Sequence, residues 1–275
     1  MCYPILFRFI ARLAALAALC TFSSHNLAQT RPAVTDSGVV QPKTIMYVGN
    51  SFFYYNNGMS SQVSGIATAA DPQNRAAYRS TSITMSGSGL NWHDIDSYFK
   101  PGRVASYSFV GDNEIRFNKF DKPFELVIMI DCSQCPIHPQ LGAMFHEYAK
   151  KHSDTVRRHK AMPVLFMSWA YADRPEMTAQ LAEQYTIAGN NNNALVIPAG
   201  LAFAKAIAKR PDIGLYAADK RHPSARGTYL SAATIYAALY KKSPAGTSFN
   251  ATVDPATAKF LQETAWETVQ EYYGK

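Results

Sequence analysis

The chain has 275 residues, 47% of them hydrophobic and 17% charged, which is enough apolar material for a full core and suits one large domain. The formal net charge is +7. The basic residues sit in short clusters such as Arg157-Arg158-His159-Lys160, with no basic stripe and no reader motif, so a nucleic-acid partner is not expected.

The amino-terminal residues 1–28 read as a secretory signal. Arg8 and Arg12 precede the apolar run Leu13 to Leu19, and "SSHNLA" leads to a cut after Ala28. Asn26 stands three residues before that cut, where a small apolar residue is usual. Cys20 offers a lipoprotein alternative, but Leu19 precedes it where a small residue would be expected. The apolar run is short for a bilayer span, and no later segment approaches ~18 apolar residues. An exported chain, periplasmic or secreted, with no membrane span in its mature form is therefore expected. Residues 29–43 are polar with two prolines and read as a flexible leader; residues 44–275 read as a single domain.

From there apolar runs alternate with helical patterns. "TIMYVG" (44–49) reads as a short buried strand, "GMSSQVSGIATAA" (58–70) as a helix and "AYRSTSITM" (77–85) as a strand. "LNWHDIDSYF" (90–99) fits a short helix, and "FELVIMI" (124–130) a strand apolar on both faces. A long amphipathic helix is expected over 140–159, a two-sided strand over 162–169, and a helix over 175–189 with Gly189 as its C-cap. "ALVIPAG" (194–200) is a fifth strand, followed by a helix that Pro211 stops. Residues 224–242 form a helix with a small-residue face. The last helix, 254–274, has Asp254 as N-cap and Pro255 at its first position. Two-sided strands separated by helices mark a parallel sheet covered on both faces. The fold class is thus α/β: a three-layer α/β/α sandwich around a central, mostly parallel five-stranded sheet.

Of four cysteines, Cys2 and Cys20 belong to the signal, which leaves Cys132 and Cys135. In an exported chain this pair reads as oxidised, a local staple. A thioredoxin-like redox pair is the sharper reading, but Pro136 follows directly and no suitable helix opens there. A structural zinc site needs four ligands and there is no second cysteine pair. "HEYAKKH" (146–152) separates its histidines by six and is no zinc motif, and "SGSGLNWH" lacks dinucleotide-loop spacing. No metal or cofactor is expected. His93, His138 and His146 read as surface or loop-packing residues, with His93 a candidate for lining a cleft.

Ligands of parallel α/β sheets gather beyond the carboxyl ends of the strands. Ser51 lies just past the first strand, Gly87 and Gly89 past the second, and Asp131, Ser133 and Gln134 past the third. A serine there is either a helix cap or a nucleophile. Near the carboxyl terminus, Asp219 and His222 stand three apart, followed by Pro223 and then Ser224 as N-cap of the next helix. A serine hydroxyl becomes a useful nucleophile when a histidine takes its proton and a carboxylate fixes that histidine's tautomer. Pro223 restricts His222 to extended backbone, which helps aim its ring. Phe52, Phe53, Tyr54 and Tyr55 crowd the serine, either as core or as the wall for an acyl or sugar group.

"VGNSF" (48–52) together with "DKRHPS" (219–224) resembles the SGNH, or GDSL-type, hydrolase superfamily. "SWAYADRPEM" (168–177), "VIPAG" (196–200) and "HPSARGTYLSAA" (222–233) are similar to an exported bacterial, GNSF-type subgroup. The resemblance covers roughly residues 44–242. It implies the flavodoxin-like SGNH fold, with Ser51 as nucleophile, His222 as base and Asp219 as its orienter. It also implies an oxyanion hole made by the N–H of Ser51 and of Gly87, or Gly89 in its place. The family's third donor is an asparagine in a G-x-N-D block. "MIDCSQCP" (129–136) has none, so Gln134 or Ser133 would have to stand in. The implied activity is hydrolysis of small-molecule or glycan esters, such as acetyl or short acyl groups. The departure at 131–135 leaves a second possibility, a catalytically impaired envelope protein that binds glycan or lipid.

Overall fold

The computed structural model describes residues 30–100, 103–104, 107–120 and 122–274. The expected signal at 1–28 lies outside the described residues. The elements in chain order are β1 (Thr44–Gly49), α1 (Ser51–Tyr54), α2 (Met59–Ala70), β2 (Arg79–Thr84), α3 (Ile95–Tyr98), β3 (Tyr107–Gly111) and β4 (Glu114–Phe117). They continue with β5 (Leu126–Met129), α4 (Gly142–Arg158), β6 (Met162–Phe166), α5 (Met177–Asn191), β7 (Leu195–Ile197), α6 (Ala199–Lys209), α7 (Ala225–Tyr240) and α8 (Pro255–Tyr273).

Five strands form one sheet in the order β2-β1-β5-β6-β7, every pairing parallel. The two-sided strands explain the layers, because successive side chains point to opposite faces. Ile45, Tyr47, Leu126 and Ile128 pack on one face with α2, α6, α7 and α8. Met46, Val48, Val127 and Met129 pack on the other with α4 and α5. The strand order reverses between β1 and β5, so the connections leaving these neighbours part and open a crevice at their carboxyl ends. The loops carrying Ser51 and Asp131 flank it. Residues 30–43 carry no regular structure; Ala33 N–H donates to Asn190 Oδ1 at 2.7 Å, and Tyr240 O–H to the Pro42 carbonyl at 2.7 Å. No helix among the described residues is long and apolar enough to cross a membrane.

Three departures from the sequence reading have local causes. The helix expected over 90–99 is split into a 3-10 turn, Leu90–Trp92, and the single turn of α3. Extended backbone at His93 (φ −94°, ψ 131°) separates them, because its ring turns into the core, and Asp94 caps the second piece. The antiparallel ribbon β3–β4 belongs to no other sheet and was not expected. Gly189 is not a C-cap: α5 runs on to Asn191. A Cβ at Gly189 would meet Val196 Cγ2 at 2.3 Å and the Ala194 carbonyl at 3.0 Å. The residue is glycine because the helix lies tight against β7.

Helix propensity favours alanine over glycine by ~1 kcal/mol, yet Gly189→Ala is expected to lower unfolding stability by ~1–3 kcal/mol through overpacking. Urea unfolding checks it. A stabilised variant contradicts the close approach.

Candidate active site

β1 ends at Gly49 without a positive φ. A Cβ there would lie 2.2 Å from Ile130 Cγ2 and 3.2 Å from the Phe53 ring, so glycine lets the end of β1 close against β5 and α1. Asn50 follows in extended conformation as the N-cap of α1, and its Oδ1 accepts from Phe52 N–H at 3.2 Å. Its Nδ2 donates to the Ser88 carbonyl at 2.9 Å and the Asp131 carbonyl at 3.1 Å. Two carbonyl acceptors and one N–H donor fix which way the buried amide faces. Asn50 thus ties the ends of three loops together one residue before Ser51.

Ser51 is 7% exposed, and its Oγ lies 2.8 Å from His222 Nε2. His222 Nδ1 is hydrogen-bonded to Asp219 Oδ2. The Nδ1–H donates to the carboxylate, which leaves Nε2 as the acceptor facing the serine hydroxyl. Asp219 Oδ1 also accepts from the N–H groups of Arg221 and His222, each at 3.0 Å. These bonds, first among them the one from His222, hold the Asp219 carboxyl down at about 2. It is therefore ionised at neutral pH.

The 216–223 loop is braced from several sides. An antiparallel bridge joins Tyr216 to Pro223, and Ala217 N–H donates to the His222 carbonyl at 2.9 Å. Trp169 Nε1–H donates to the Arg221 carbonyl at 2.9 Å, and Tyr216 O–H to the Ala170 carbonyl at 2.8 Å. Asn56 Nδ2 donates to the Pro223 carbonyl at 2.9 Å and to Thr228 Oγ1 at 2.8 Å. Ser224 caps α7 as expected, its Oγ accepting from Gly227 N–H at 3.3 Å.

The aromatics divide by role. Phe52 and Phe53 are buried; Phe52 stacks on Trp169, which stacks on Phe203, with ring centroids 4.6 and 4.3 Å apart. Tyr55 stacks face to face on the His222 imidazole at 4.2 Å and 6°. Tyr54 is 43% exposed. Tyr55 was visible in the sequence only as one of a crowd of rings.

On the other side of Ser51 the structure separates the two glycines. Gly87 has φ +71°, is exposed and has open space where a Cβ would go. Gly89 is buried, and a Cβ there would stand 2.7 Å from Asp131 Oδ1. That oxygen accepts from the N–H groups of Leu90 and Cys132, both at 2.8 Å. Burial raises the Asp131 carboxyl above the usual carboxylate range. Gly89 therefore makes room for a carboxylate brace, while Gly87 presents backbone. Among the described residues, no hydrogen bond takes up the N–H of Ser51, Gly87 or Gly89.

Cys132 and Cys135 are joined in a disulfide that leads into a 3-10 turn, Cys135–Ile137. Ser133 Oγ is bonded to Tyr171 OH at 2.7 Å. Gln134 is exposed, and no side-chain hydrogen bond holds its amide. A cavity of about 300 Å³ opens beside Gly87 and Gly89, walled by Leu90, Trp92, Met144, Phe145 and the disulfide. A larger one, about 760 Å³, is lined by residues 30–32, α6 and the end of α8, and by none of the candidate residues.

His93 does not line the cleft. It is 4% exposed, with Nε2 3.1 Å from Ser88 Oγ and Nδ1 3.1 Å from Tyr98 OH. Ser88 donates its own proton to the Gly49 carbonyl at 3.0 Å. Burial holds His93 down at about 4, so it is neutral and serves as a packed brace under the 86–89 loop. His146 and His138 bond Gln184 Oε1 and Gln140 N–H, at 2.8 and 3.1 Å.

No family model and no curated protein matches this sequence. Solved structures do. A DUF4886 family protein from Bacteroides uniformis superposes with a TM-score of 0.55 at 16% identity, over 84% of this chain and 95% of its own. A protein assigned as an SGNH hydrolase from Slackia heliotrinireducens gives 0.52 at 20% identity, over 70% and 96%. The acetyl xylan esterase AlAXEase gives 0.51 at 10%, over 71% and 98%. The chain has the SGNH/GDSL hydrolase fold.

In the pattern that "VGNSF" resembles, aspartate often stands where this chain has Asn50. A carboxylate there would face the Ser88 and Asp131 carbonyls with no proton to offer. Asn50→Asp is expected to cost ~1–3 kcal/mol in unfolding stability, read by urea denaturation at neutral pH. An unchanged midpoint contradicts the bracing role.

Proposed function

We propose that this protein is an exported serine hydrolase of esters, acting on acetyl or short acyl groups of small-molecule, carbohydrate or cell-envelope substrates. The observation that carries the reading is the Ser51 Oγ to His222 Nε2 distance of 2.8 Å, with His222 Nδ1 held by Asp219. Ser51 Oγ attacks the ester carbonyl carbon as its proton passes to His222 Nε2. Asp219 keeps the ring in the tautomer that accepts at Nε2 and stabilises the imidazolium. In this reading the N–H groups of Ser51 and Gly87 donate to the oxygen that becomes negative. His222 then gives its proton to the leaving alkoxide, and water repeats the sequence on the acyl-enzyme. Tyr55, face to face with the imidazole, keeps the ring in the plane that serves both partners.

The cavity of about 300 Å³ beside Gly87, with mostly apolar walls, suits a small acyl or aryl group. Export rests on the residue pattern at 1–28, and the Cys132–Cys135 disulfide suits an oxidising compartment. One observation favours the second reading, a protein that binds glycan or lipid in this cleft without turnover. Ser133 is bonded to Tyr171 and Gln134 is unanchored, so no side chain at 131–135 is fixed as a third donor.

p-Nitrophenyl acetate hydrolysis by the wild type, Ser51→Ala and His222→Ala separates the two. The expected result is measurable turnover that falls ~10⁴-fold or more in each variant, with circular dichroism unchanged. A wild type that turns over no ester, yet binds glycan equally well with and without Ser51, supports the second reading and overturns the first.

A further inference from the structure

Among the described residues the ribbon β3–β4 pairs with no other strand, and it interrupts the α/β alternation between α3 and β5. It also concentrates exposed apolar surface. Tyr107, Phe109, Ile115 and Phe117 are 53, 75, 45 and 61% exposed, and Val110 and Phe120 are 43 and 42% exposed. The register pairs Tyr107 with Phe117 and Phe109 with Ile115, which puts these four on one face. The Tyr107 ring meets those of Phe109 and Phe117 at centroid distances of 5.8 and 6.4 Å. A patch of this kind on an isolated ribbon marks a site of interaction.

Charge says with what. Arg103, Lys119 and Lys122, all exposed, flank the ribbon in sequence, while Arg116, paired with Ser108, lies on its opposite face; none of the four has an ion pair or a side-chain hydrogen bond among the described residues. We infer that this face docks the protein on an anionic lipid surface, rings in the interfacial layer and cations against the headgroups. The turn at the tip carries Asp112 and Glu114, so the ribbon lies flat on the surface and does not enter tip first. A second copy would bring its own Arg103, Lys119 and Lys122 against these three. A sugar platform would need hydrogen-bonding groups around its rings, and Phe109, Ile115 and Phe117 have none. The ribbon is rooted at the amino-terminal edge of the sheet, where the guanidinium of Arg79, the first residue of β2, lies 4.0 Å above the Phe120 ring. Ser51 is at the opposite edge, so docking leaves the cleft open.

The test is sedimentation of the full chain with phosphatidylcholine vesicles with and without phosphatidylglycerol. Binding is expected only with phosphatidylglycerol, to weaken with added salt, and to fall about tenfold or more in Phe109→Ser/Phe117→Ser. Hydrolysis of a soluble ester, where the wild type has it, stays unchanged in that variant. A Phe109→Trp variant localises the contact: the fluorescence of its added indole should be quenched by brominated lipid. Equal sedimentation of wild type and double variant overturns the proposal, as does an added indole signal that brominated lipid leaves unquenched. So does a wild-type dimer that the double substitution dissociates, or a polysaccharide affinity lost in that variant without vesicle binding. None of these outcomes depends on the ester-hydrolase reading.

Discussion

A hydrogen bond between Ser51 and His222 closes a loop of 171 residues. Everything else at this edge of the sheet bears on whether those two atoms stay 2.8 Å apart. Ser51 is set by the end of a buried parallel strand, which is among the stiffest places a fold offers. His222 sits on an irregular loop and needs external bracing. The Trp169 indole and the Asn56 amide provide it by reaching the Arg221 and Pro223 carbonyls, and the loop's own Tyr216 hydroxyl reaches out to the Ala170 carbonyl. The loop is thereby tied to two separate segments, at 169–170 and at 56, and the entropy of aiming the ring is lost on folding and not again on binding.

The opposite wall follows the same logic with different chemistry. Asn50 joins the 88 and 131 carbonyls, Asp131 joins the Leu90 and Cys132 amides, and the neutral His93 supports Ser88 from below. Burial disfavours charge on both titratable members of this network. The loop carrying Gly87 is therefore shaped by these neighbours, which all meet it at Ser88 or Gly89. The disulfide closes the 132–135 turn in the stretch where the resemblance would require an asparagine. Ser51 and His222 are thus held firmly by their surroundings, and the 131–135 loop departs from the pattern that the sequence resembles.

Much of this was legible in the sequence for identifiable reasons. Strands apolar on both faces announce a covered parallel sheet, and the five expected strands are the five of the central sheet. Ser51 could be picked out as a candidate because it follows a strand end, and Asp219 and His222 because they stand three apart before a helix in a pattern that resembles a known family. Tyr55, Trp169 and Asn56 could not, because a ring stack or a side-chain bond to a distant carbonyl leaves no spacing signature. Gly189 misled because a glycine near a helix end has two explanations, a left-handed cap and a close approach, and only the neighbouring strand decides between them. The β3–β4 ribbon escaped notice because its short alternating strands pair only with each other.

The central claim is that His222 activates Ser51. Covalent labelling by a fluorophosphonate, mapped by mass spectrometry in the wild type and in His222→Ala, tests it without knowledge of the substrate. The account predicts a single modified residue, Ser51, and labelling slowed ~10³-fold or more when the imidazole is removed. Labelling at any other residue, or at Ser51 with no dependence on His222, would contradict it.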